Sequence, residues 1–267
     1  MDVLGCQAVF AVPAAQTCNP LRQINFYCYR DLVNSTNHSG RRATSRSPTL
    51  VLASGSPRRS DLLQAAGIAF ETVVPGIEEI AEAHLTAREL TAWNAVRKGM
   101  AVARQMPERV VLAADTVVLL SDKVIGKPAD LPDAIRILRS LSGRSHHVHS
   151  SVFIAHLDRR NLSLFSEITV VRFKKLTAQE IRQYLAKIDP LDKAGAYAAQ
   201  GHGAEIIAEI EGSFSNVVGL PMERTLTALK SFGITPPATI KRSPFPLAPV
   251  PPGAGVPISK PGKETKQ

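Results

Sequence analysis

Polar residues of the types that bind charged ligands fall into four short clusters of this sequence. The clusters are Ser54, Ser56, Arg58 and Arg59; Glu78 and Glu79; Asp115 and Thr116; and Lys127 together with Asp192, Lys193 and Gln200. Arginine and lysine bind phosphate oxygens, whereas carboxylates bind Mg²⁺ or Mn²⁺ and activate water. Together these residue types predict a site for a polyphosphate and a divalent cation.

Arg58 and Arg59 occupy positions that a helix ordinarily disfavours for cations. The residues after Ser56 predict a helix, with Ser56 as its N-cap, Pro57 in its first position and Gly67 just past its end. A helix N-terminus disfavours a cation by about 0.3–1 kcal/mol, and its free N–H groups attract anions. The two arginines therefore predict an anion site, unless they pair with acids that lie nearby.

Asp115 interrupts the otherwise apolar segment VVLAADTVVLL. A buried carboxylate without a partner is costly, so Asp115 needs a metal ion, a lysine or an arginine beside it. The alternative is a structural aspartate that caps a turn. Taken alone, Lys127 and Lys193 are typical of surface lysines, and Glu78 and Glu79 are typical of solvated loop acids. Only the combination of the four clusters favours a single site.

Three other motifs do not fit the functions that they suggest. The segment 126–128 (GKP) lacks the Ser or Thr and the upstream glycine of a phosphate-binding P-loop, and 201–203 (GHG) lacks the third glycine of a dinucleotide fingerprint. In a strand, His147 and His149 share one face while His146 lies on the other. This alternation disfavours a metal site formed by the three histidines.

The elements that must position these clusters alternate between strands and helices. Predicted strands span 50–53, 70–74, 110–114 continuing through 117–120, 146–156, 164–173 and 206–210, and predicted helices begin at Pro57 and span 86–105, 132–141, 177–185 and 222–232. The run 110–114 is apolar throughout, which is typical of a strand buried on both faces. Thr177 and Glu180 predict a capping box. The pattern predicts an α/β fold, a mixed sheet flanked by helices, with the four polar clusters at the ends of elements.

The two ends of the chain differ in composition from its middle. Residues 1–48 hold five arginines against two aspartates, and residues 236–267 hold five basic residues against one glutamate, so the middle keeps 22 basic and 20 acidic residues of a chain with net charge +9. Nine of the last 32 residues are proline. We expect a flexible extension at 1–48, one domain at 49–235 and a disordered, basic, proline-rich tail at 236–267. Because most of the excess positive charge lies in the ends, no nucleic-acid partner is expected.

Cysteine usage and hydropathy limit the class of protein further. All three cysteines lie in the first 48 residues, which excludes a cysteine-based zinc site or a disulfide framework in 49–235. No window approaches the roughly 18 apolar residues that a membrane span needs. We expect a cytoplasmic protein without membrane contact, with organelle targeting by residues 1–48 as the alternative.

Six motifs, in their order and spacing, carry a family resemblance. LASGSPRRSDLL, AADTVV, IGKP, LSGRSHHV, DKAGAYAAQGHGAEII and NVVGLP closely resemble the Maf family of nucleoside triphosphate pyrophosphatases over about residues 50–232. The resemblance implies a fold similar to the inosine triphosphate pyrophosphatases, with a cleft between two lobes. It also implies metal-dependent hydrolysis of a nucleoside triphosphate to the monophosphate and pyrophosphate. The SPRR, DTVV and AYAAQG segments resemble the branch that acts on dTTP and UTP.

The resemblance also implies roles for single residues. Asp115 matches the proposed proton acceptor; Arg58, Thr116 and Gln200 match positions linked to substrate choice; and Glu79, Lys98 and Lys127 match other polar residues of the cleft. The expected ligands of Mg²⁺ or Mn²⁺ are Asp115 and Glu79, and the residues expected to complete the substrate-binding wall are Ser54, Ser56, Arg59 and Lys193. One residue departs from the family, because Arg97 stands where glutamate often precedes the lysine.

The expected reaction is attack of water on the α-phosphorus of dTTP, UTP or a modified pyrimidine nucleotide, which removes unwanted nucleotides from the pool. The alternative is a regulatory protein that binds a nucleotide without turnover, since the family is also linked to restraint of cell division. Asp115, Lys127 and Gln200 favour the enzyme. The expected partner is the nucleoside triphosphate itself, and a homodimer is left open.

Overall fold

The structure, a computed structural model, describes residues 50–80, 82 and 84–237. The extension expected at 1–48 and residues 238–267 of the expected tail lie outside the described residues, so the proposed domain limits stay predictions. Within the described ranges, no helix is both long enough and apolar enough to span a membrane.

A seven-stranded mixed sheet runs through the described residues. Its strands are β1 (Leu50–Ala53), β2 (Phe70–Val73), β3 (Val110–Leu120), β4 (Lys123–Ile125), β5 (Ser145–His156), β6 (Asn161–Phe173) and β7 (Ile207–Glu211). The order is β2-β1-β3-β5-β6-β7, with β4 paired to the C-terminal part of β3. β1 is parallel to β2 and β3, and the remaining pairs are antiparallel. The predicted α/β class with a mixed sheet is confirmed.

Helices flank this sheet on both faces. They are α1 (Pro57–Ala65), α2 (Ala87–Ala103), α3 (Leu131–Leu141), α4 (Ala178–Leu185), α5 (Gly203–Ile206), α6 (Phe214–Val218) and α7 (Met222–Lys230), with a 3-10 turn at Ala194–Ala196. The capping box of Thr177 and Glu180 is confirmed. Ser56 does occupy the N-cap position of α1, but its side chain makes no capping hydrogen bond to the described residues. Instead, the Ser56 N–H donates to Ser54 Oγ over 3.1 Å.

Several boundaries differ from the prediction. The predicted interruption of β3 at Asp115 is wrong, because β3 is one continuous strand of 11 residues that contains Asp115 in its interior. The predicted strand 206–210 begins one residue later, since the preceding residues form α5. The short helix α6 was not predicted.

The sheet has a switch in connection direction at β1. The chain leaves β1 for β2 on one side and then crosses to β3 on the other, so β1 lies between two parallel neighbours. β3 pairs with β1 only as far as Leu112 and with β4 only from Val118. Between these points that edge of β3 has no strand neighbour in the described residues. Ligands of α/β proteins bind at such switch points, at the carboxyl ends of the strands.

The two faces of β3 have different environments, because successive side chains alternate across a strand. On one face, Val110, Leu112 and Ala114 belong to an apolar cluster with α1 and α7, and Val118 and Leu120 belong to a second cluster with α3 and α4. Thr116 lies between the two clusters. The other face carries Asp115 and is covered by α2. One sheet continues through both clusters. The expected division into two lobes stays a prediction.

Candidate active site

A cavity of about 460 Å³ opens at the free edge of β3. This volume lies within the roughly 300–1,000 Å³ typical of small-molecule sites. The residues predicted to act in catalysis, substrate binding or metal binding all line it, namely Ser54, Ser56, Arg58, Arg59, Glu79, Lys98, Asp115, Thr116, Lys127, Lys193 and Gln200. The structure therefore brings residues from all four sequence clusters together, although the roles assigned to the individual residues stay predictions.

Asp115 is a buried carboxylate with a buried cation beside it. Lys98 Nζ donates to Asp115 Oδ1 and to Glu79 Oε1, each over 2.6 Å. The side chains of Lys98 and Asp115 are only 10% and 5% exposed, whereas that of Glu79 is 52% exposed. Asn94 Nδ2 lies 3.4 Å from Asp115 Oδ2. The requirement that Asp115 have a cationic partner is thus met by Lys98, and the alternative of a turn-capping aspartate is wrong because Asp115 lies inside β3.

Glu79 lies at the open side of this pair. Its burial raises the carboxyl pKa, but the hydrogen bond and charge of Lys98, with the charges of Lys127 and Arg59, outweigh burial and hold the pKa of Glu79 below its usual range. Glu79 is therefore ionised at neutral pH. Two carboxylates converge on one ammonium group at the base of the cavity.

Glu78 and Arg97 do not line the cavity. Arg97 Nη1 donates to the Glu78 backbone carbonyl over 2.9 Å. The predicted carboxylate pair thus reduces to Glu79 alone. Arg97 thus contacts the backbone of this loop, whereas its neighbour Lys98 contacts the two carboxylates.

Arg59 is a buried cation that connects four segments of the cavity wall. Its Nε donates to the Gly219 carbonyl over 2.9 Å, Nη1 to Ser54 Oγ over 3.1 Å and Nη2 to Thr116 Oγ1 over 3.2 Å. Burial lowers the pKa of Arg59, and the negative charge of Asp115 opposes that shift. Because guanidinium stays protonated in proteins, Arg59 contributes a fixed positive charge. Thr116 Oγ1 also shares a hydrogen bond of 2.9 Å with Ser150 Oγ.

Arg58 and Lys193 share an acid of the loop that follows α4. Arg58 Nη1 donates to Asp192 Oδ2 over 2.5 Å, and Lys193 Nζ donates to Asp192 Oδ1. Burial raises the pKa of Asp192, but the hydrogen bonds from Lys193 and Arg58 outweigh it and leave the pKa below its usual range. The alternative that the arginines pair with nearby acids therefore applies to Arg58. It does not apply to Arg59, which has hydroxyl and carbonyl partners.

Lys127 and Gln200 are exposed residues of the cavity rim. The carbonyl of the neighbouring Gly126 accepts a hydrogen bond of 3.0 Å from the Gly195 N–H, which ties the two loops together. Lys127 is close enough to Glu79 for its charge to lower the carboxyl pKa. Because Lys127 and Gln200 are exposed at the rim, a ligand in the cavity can reach both side chains.

The histidines of β5 are divided between the two faces of the strand. His146 is buried, and its Nε2 lies 2.8 Å from the Tyr197 hydroxyl oxygen. His147 and His149 share the other face, as predicted, with ring centroids 6.2 Å apart. Within residues 50–80, 82 and 84–237, no group of three or more His, Cys, Asp or Glu side chains forms a metal site.

Sequence reasoning overlooked Asn94 and gave Asp192 no role. Asn94 lies one helical turn before Lys98, a spacing that places both on one face of a helix. That spacing was available from the sequence once Lys98 had been chosen. The contact of Arg58 with Asp192 spans 134 residues of sequence, and no local signal predicts it.

Fold and cavity together define an α/β protein with a cavity lined by cations and carboxylates at the switch point of its sheet. A family model described as Maf-like protein matches residues 49–232. Over 187 residues the chain is 43% identical to a dTTP/UTP pyrophosphatase of Akkermansia muciniphila, covering 70% of this chain and 97% of that protein. Proteins of the same name from Pelotomaculum thermopropionicum and Symbiobacterium thermophilum are 44% and 45% identical over 184 residues, covering 69% of this chain and 96% and 94% of theirs. The chain belongs to the Maf-like protein family.

Proposed function

We propose that this protein hydrolyses dTTP and UTP to the nucleoside monophosphate and pyrophosphate. Family membership and the names of its relatives support a pyrophosphatase acting on nucleoside triphosphates. The observation that carries the proposal is the placement of Asp115 in a cavity that also holds Arg58, Arg59 and Lys127. A general base and several phosphate-binding cations within one ligand-sized cavity match the chemistry of anhydride hydrolysis.

In the proposed reaction, a water oxygen attacks the α-phosphorus and the bond from that phosphorus to the oxygen bridging to the β-phosphate breaks. Asp115 accepts a proton from the water, and pyrophosphate leaves with the bridging oxygen. Arg59 provides a fixed positive charge near the phosphates, while Arg58, Lys127 and Lys193 neutralise the departing pyrophosphate. Lys98 compensates the charge of the Asp115 carboxylate, because its ammonium donates to Asp115 Oδ1 over 2.6 Å.

The carboxylates also fit a divalent cation. Mg²⁺ is commonly held by one or two carboxylates together with substrate phosphates and water, so Asp115 and the half-exposed Glu79 form a sufficient protein contribution. Mg²⁺ or Mn²⁺ would stabilise charge on the phosphate oxygens. Since Lys98 bridges the same two carboxylates, its ammonium marks a position at which positive charge is stabilised.

Substrate choice is proposed to depend on the rim and on the Arg59 network. Gln200 is exposed at the cavity and presents an amide, which can donate to and accept from the edge of a pyrimidine base. Ser54 and Ser56 form the wall beside Arg58. Thr116 acts by holding Arg59, since its hydroxyl already contacts Arg59 and Ser150.

The cellular setting completes the proposal. We place the activity in the cytoplasm, where it would remove excess or non-canonical pyrimidine nucleotides, and we expect neither nucleic acid nor membrane as a partner. A homodimer is the proposed assembly.

The test is a panel of nucleoside triphosphates with Mg²⁺ or Mn²⁺, analysed for pyrophosphate and orthophosphate, with the reaction run in ¹⁸O-labelled water. Attack on the α-phosphorus predicts label in the monophosphate and none in pyrophosphate. Asp115→Asn should lose most of the turnover, whereas Asp61→Asn on the exposed side of α1 should keep it. Orthophosphate as the sole product, or full activity of Asp115→Asn, would refute the proposal; tight nucleotide binding without turnover would favour the regulatory alternative.

A further inference from the structure

The loop between β2 and α2 carries Glu79, and side chains of α2 determine where that loop lies. Arg97 holds the Glu78 carbonyl and Lys98 holds the Glu79 carboxylate. One turn earlier on the helix, Asn94 contacts the backbone of Ile80. Three consecutive loop residues are thus tied to one face of α2.

Asn94 makes the most specific of these contacts. The Ile80 N–H donates to Asn94 Oδ1 over 2.8 Å, and Asn94 Nδ2 donates back to the Ile80 carbonyl over 3.1 Å. The second Nδ2 hydrogen lies on the side of Asp115 Oδ2, 3.4 Å away. Asn94 is only 3% exposed, and a buried amide needs hydrogen-bond partners such as these. One acceptor and two donors are required here, and a carboxamide provides that set.

These contacts join the Asp115 carboxylate to the loop backbone beside Glu79 through one planar amide. Asp115 belongs to the sheet, whereas Glu79 belongs to the loop after β2, in which Val74 is 68% exposed. Lys98 also contacts both carboxylates, but its long side chain has four rotatable bonds and fixes charge better than position. The planar amide of Asn94 contacts both the loop backbone next to Glu79 and the Asp115 carboxylate.

We infer that Asn94 is a positioning residue that sets Glu79 and Asp115 in their working geometry. The expected loss of kcat rests on the proposed hydrolysis. The expected loosening of the loop at Ile80 rests on the contacts alone. Mutating the outer partners that orient metal-ligating side chains typically costs about 10- to 100-fold in metal affinity or activity. A misplacement of about 1 Å has a similar effect on rate.

The test compares Asn94→Ala with Asn94→Asp. Asn94→Ala removes all three contacts, so kcat for dTTP should fall about 10- to 100-fold while KM changes less than about threefold, because the phosphate-binding cations are untouched. Amide hydrogen exchange of Ile80 should accelerate at least about tenfold. Asn94→Asp retains the acceptor for the Ile80 N–H but loses both donors. It should therefore keep much of the protection at Ile80 and still lose kcat.

Thr91→Ala is the matched control. Thr91 lies on the same helix, is fully buried, and shares a hydrogen bond of 2.7 Å with Ser151 Oγ, away from the loop. Loss of this hydrogen bond in Thr91→Ala should lower Tm about as much as Asn94→Ala does. It should leave both kcat and Ile80 exchange near their wild-type values. A lower Tm alone would therefore not separate the variants, whereas the kinetic and exchange measurements would.

Wild-type kcat in Asn94→Ala, or equal loss of kcat in Thr91→Ala, would overturn the inference. Unchanged Ile80 exchange in Asn94→Ala would overturn it as well, because the loop would then be held by other contacts. If the wild-type protein released no pyrophosphate, the proposed function would fail. The exchange measurement would still decide whether Asn94 fixes the loop.

Discussion

Replacement of Lys98 by methionine removes the cation that compensates a buried carboxylate. Lys98 Nζ contacts both Asp115 and Glu79 over 2.6 Å, but only Asp115, with a 5% exposed side chain, depends on it for compensation. Removing one partner of a buried ion pair typically costs about 3–5 kcal/mol, whereas an exposed pair contributes about 0–1 kcal/mol. We therefore expect Lys98→Met to lower the free energy of unfolding by about 3–4 kcal/mol, nearly all of it through Asp115.

A double-mutant cycle separates the two carboxylates. Urea unfolding at pH 7.5 should show that adding Asp115→Asn to Lys98→Met restores about 2 kcal/mol, since the uncompensated charge is then gone. Adding Glu79→Gln should restore less than about 1 kcal/mol, because water already solvates that carboxylate.

The reasoning would be refuted by a loss below about 1 kcal/mol in Lys98→Met, because the pair would then behave as a surface contact. It would also be refuted if the cycle gave Lys98 a larger coupling energy with Glu79 than with Asp115. Lys187→Met is a suitable control, since Lys187 pairs with Glu205 at the surface with 42% and 40% of the two side chains exposed.

Three further predictions concern the cavity wall, the core and the contact of α2 with the sheet. Asp192→Asn removes the acid that competes with substrate phosphates for Arg58, so steady-state kinetics should show a two- to fivefold lower KM for dTTP. Burial lowers the pKa of His146 to about 4, so its contribution to stability is full above pH 6.5 and is lost as the pH falls. Between pH 7.5 and 4.5, the free energy of unfolding, measured in urea, should therefore fall by about 2–3 kcal/mol less in His146→Gln than in wild type. A Cβ on Gly99 would lie 2.4 Å from Phe153 Cδ1, so Gly99→Ala should cost about 1–3 kcal/mol, measured as a lower Tm, and Phe153→Val should relieve part of it.

Each of these predictions has an outcome that contradicts it. A higher KM in Asp192→Asn would mean that the acid holds Arg58 in place for the substrate. An equal loss of stability on acidification in wild type and His146→Gln would assign that loss to other groups. An unchanged Tm in Gly99→Ala would show that α2 shifts away from the sheet without cost.

Most of the elements could be predicted because their signals are local. The spacing of Thr177 and Glu180 predicted the start of α4, and both contacts of the capping box are present. The apolar run 110–114 predicted a strand buried on both faces. The short helix α6 has no comparable signal, since five residues are too few to show a helical period.

Residues from all four polar clusters line one cavity, but several of their partners were not predicted from the sequence. Asp115 was expected at a break in a strand, because a charged residue is rarely placed inside a buried strand. The structure keeps β3 continuous, since Lys98 and Asn94 on α2 compensate that charge from the facing helix. The partner of Asp115 was thus a property of packing and could not be found along β3.

The alternating elements and the family could be predicted without the structure, because periodicity and ordered motifs are local properties of the sequence. The different surroundings of the two arginines, by contrast, could be seen only in the folded protein. Arg58 and Arg59 are neighbours in sequence, yet Arg58 pairs with Asp192 at the mouth of the cavity while Arg59 is buried against Gly219 and Thr116. The physical reason is that burial and charge compensation depend on contacts between segments more than 50 residues apart.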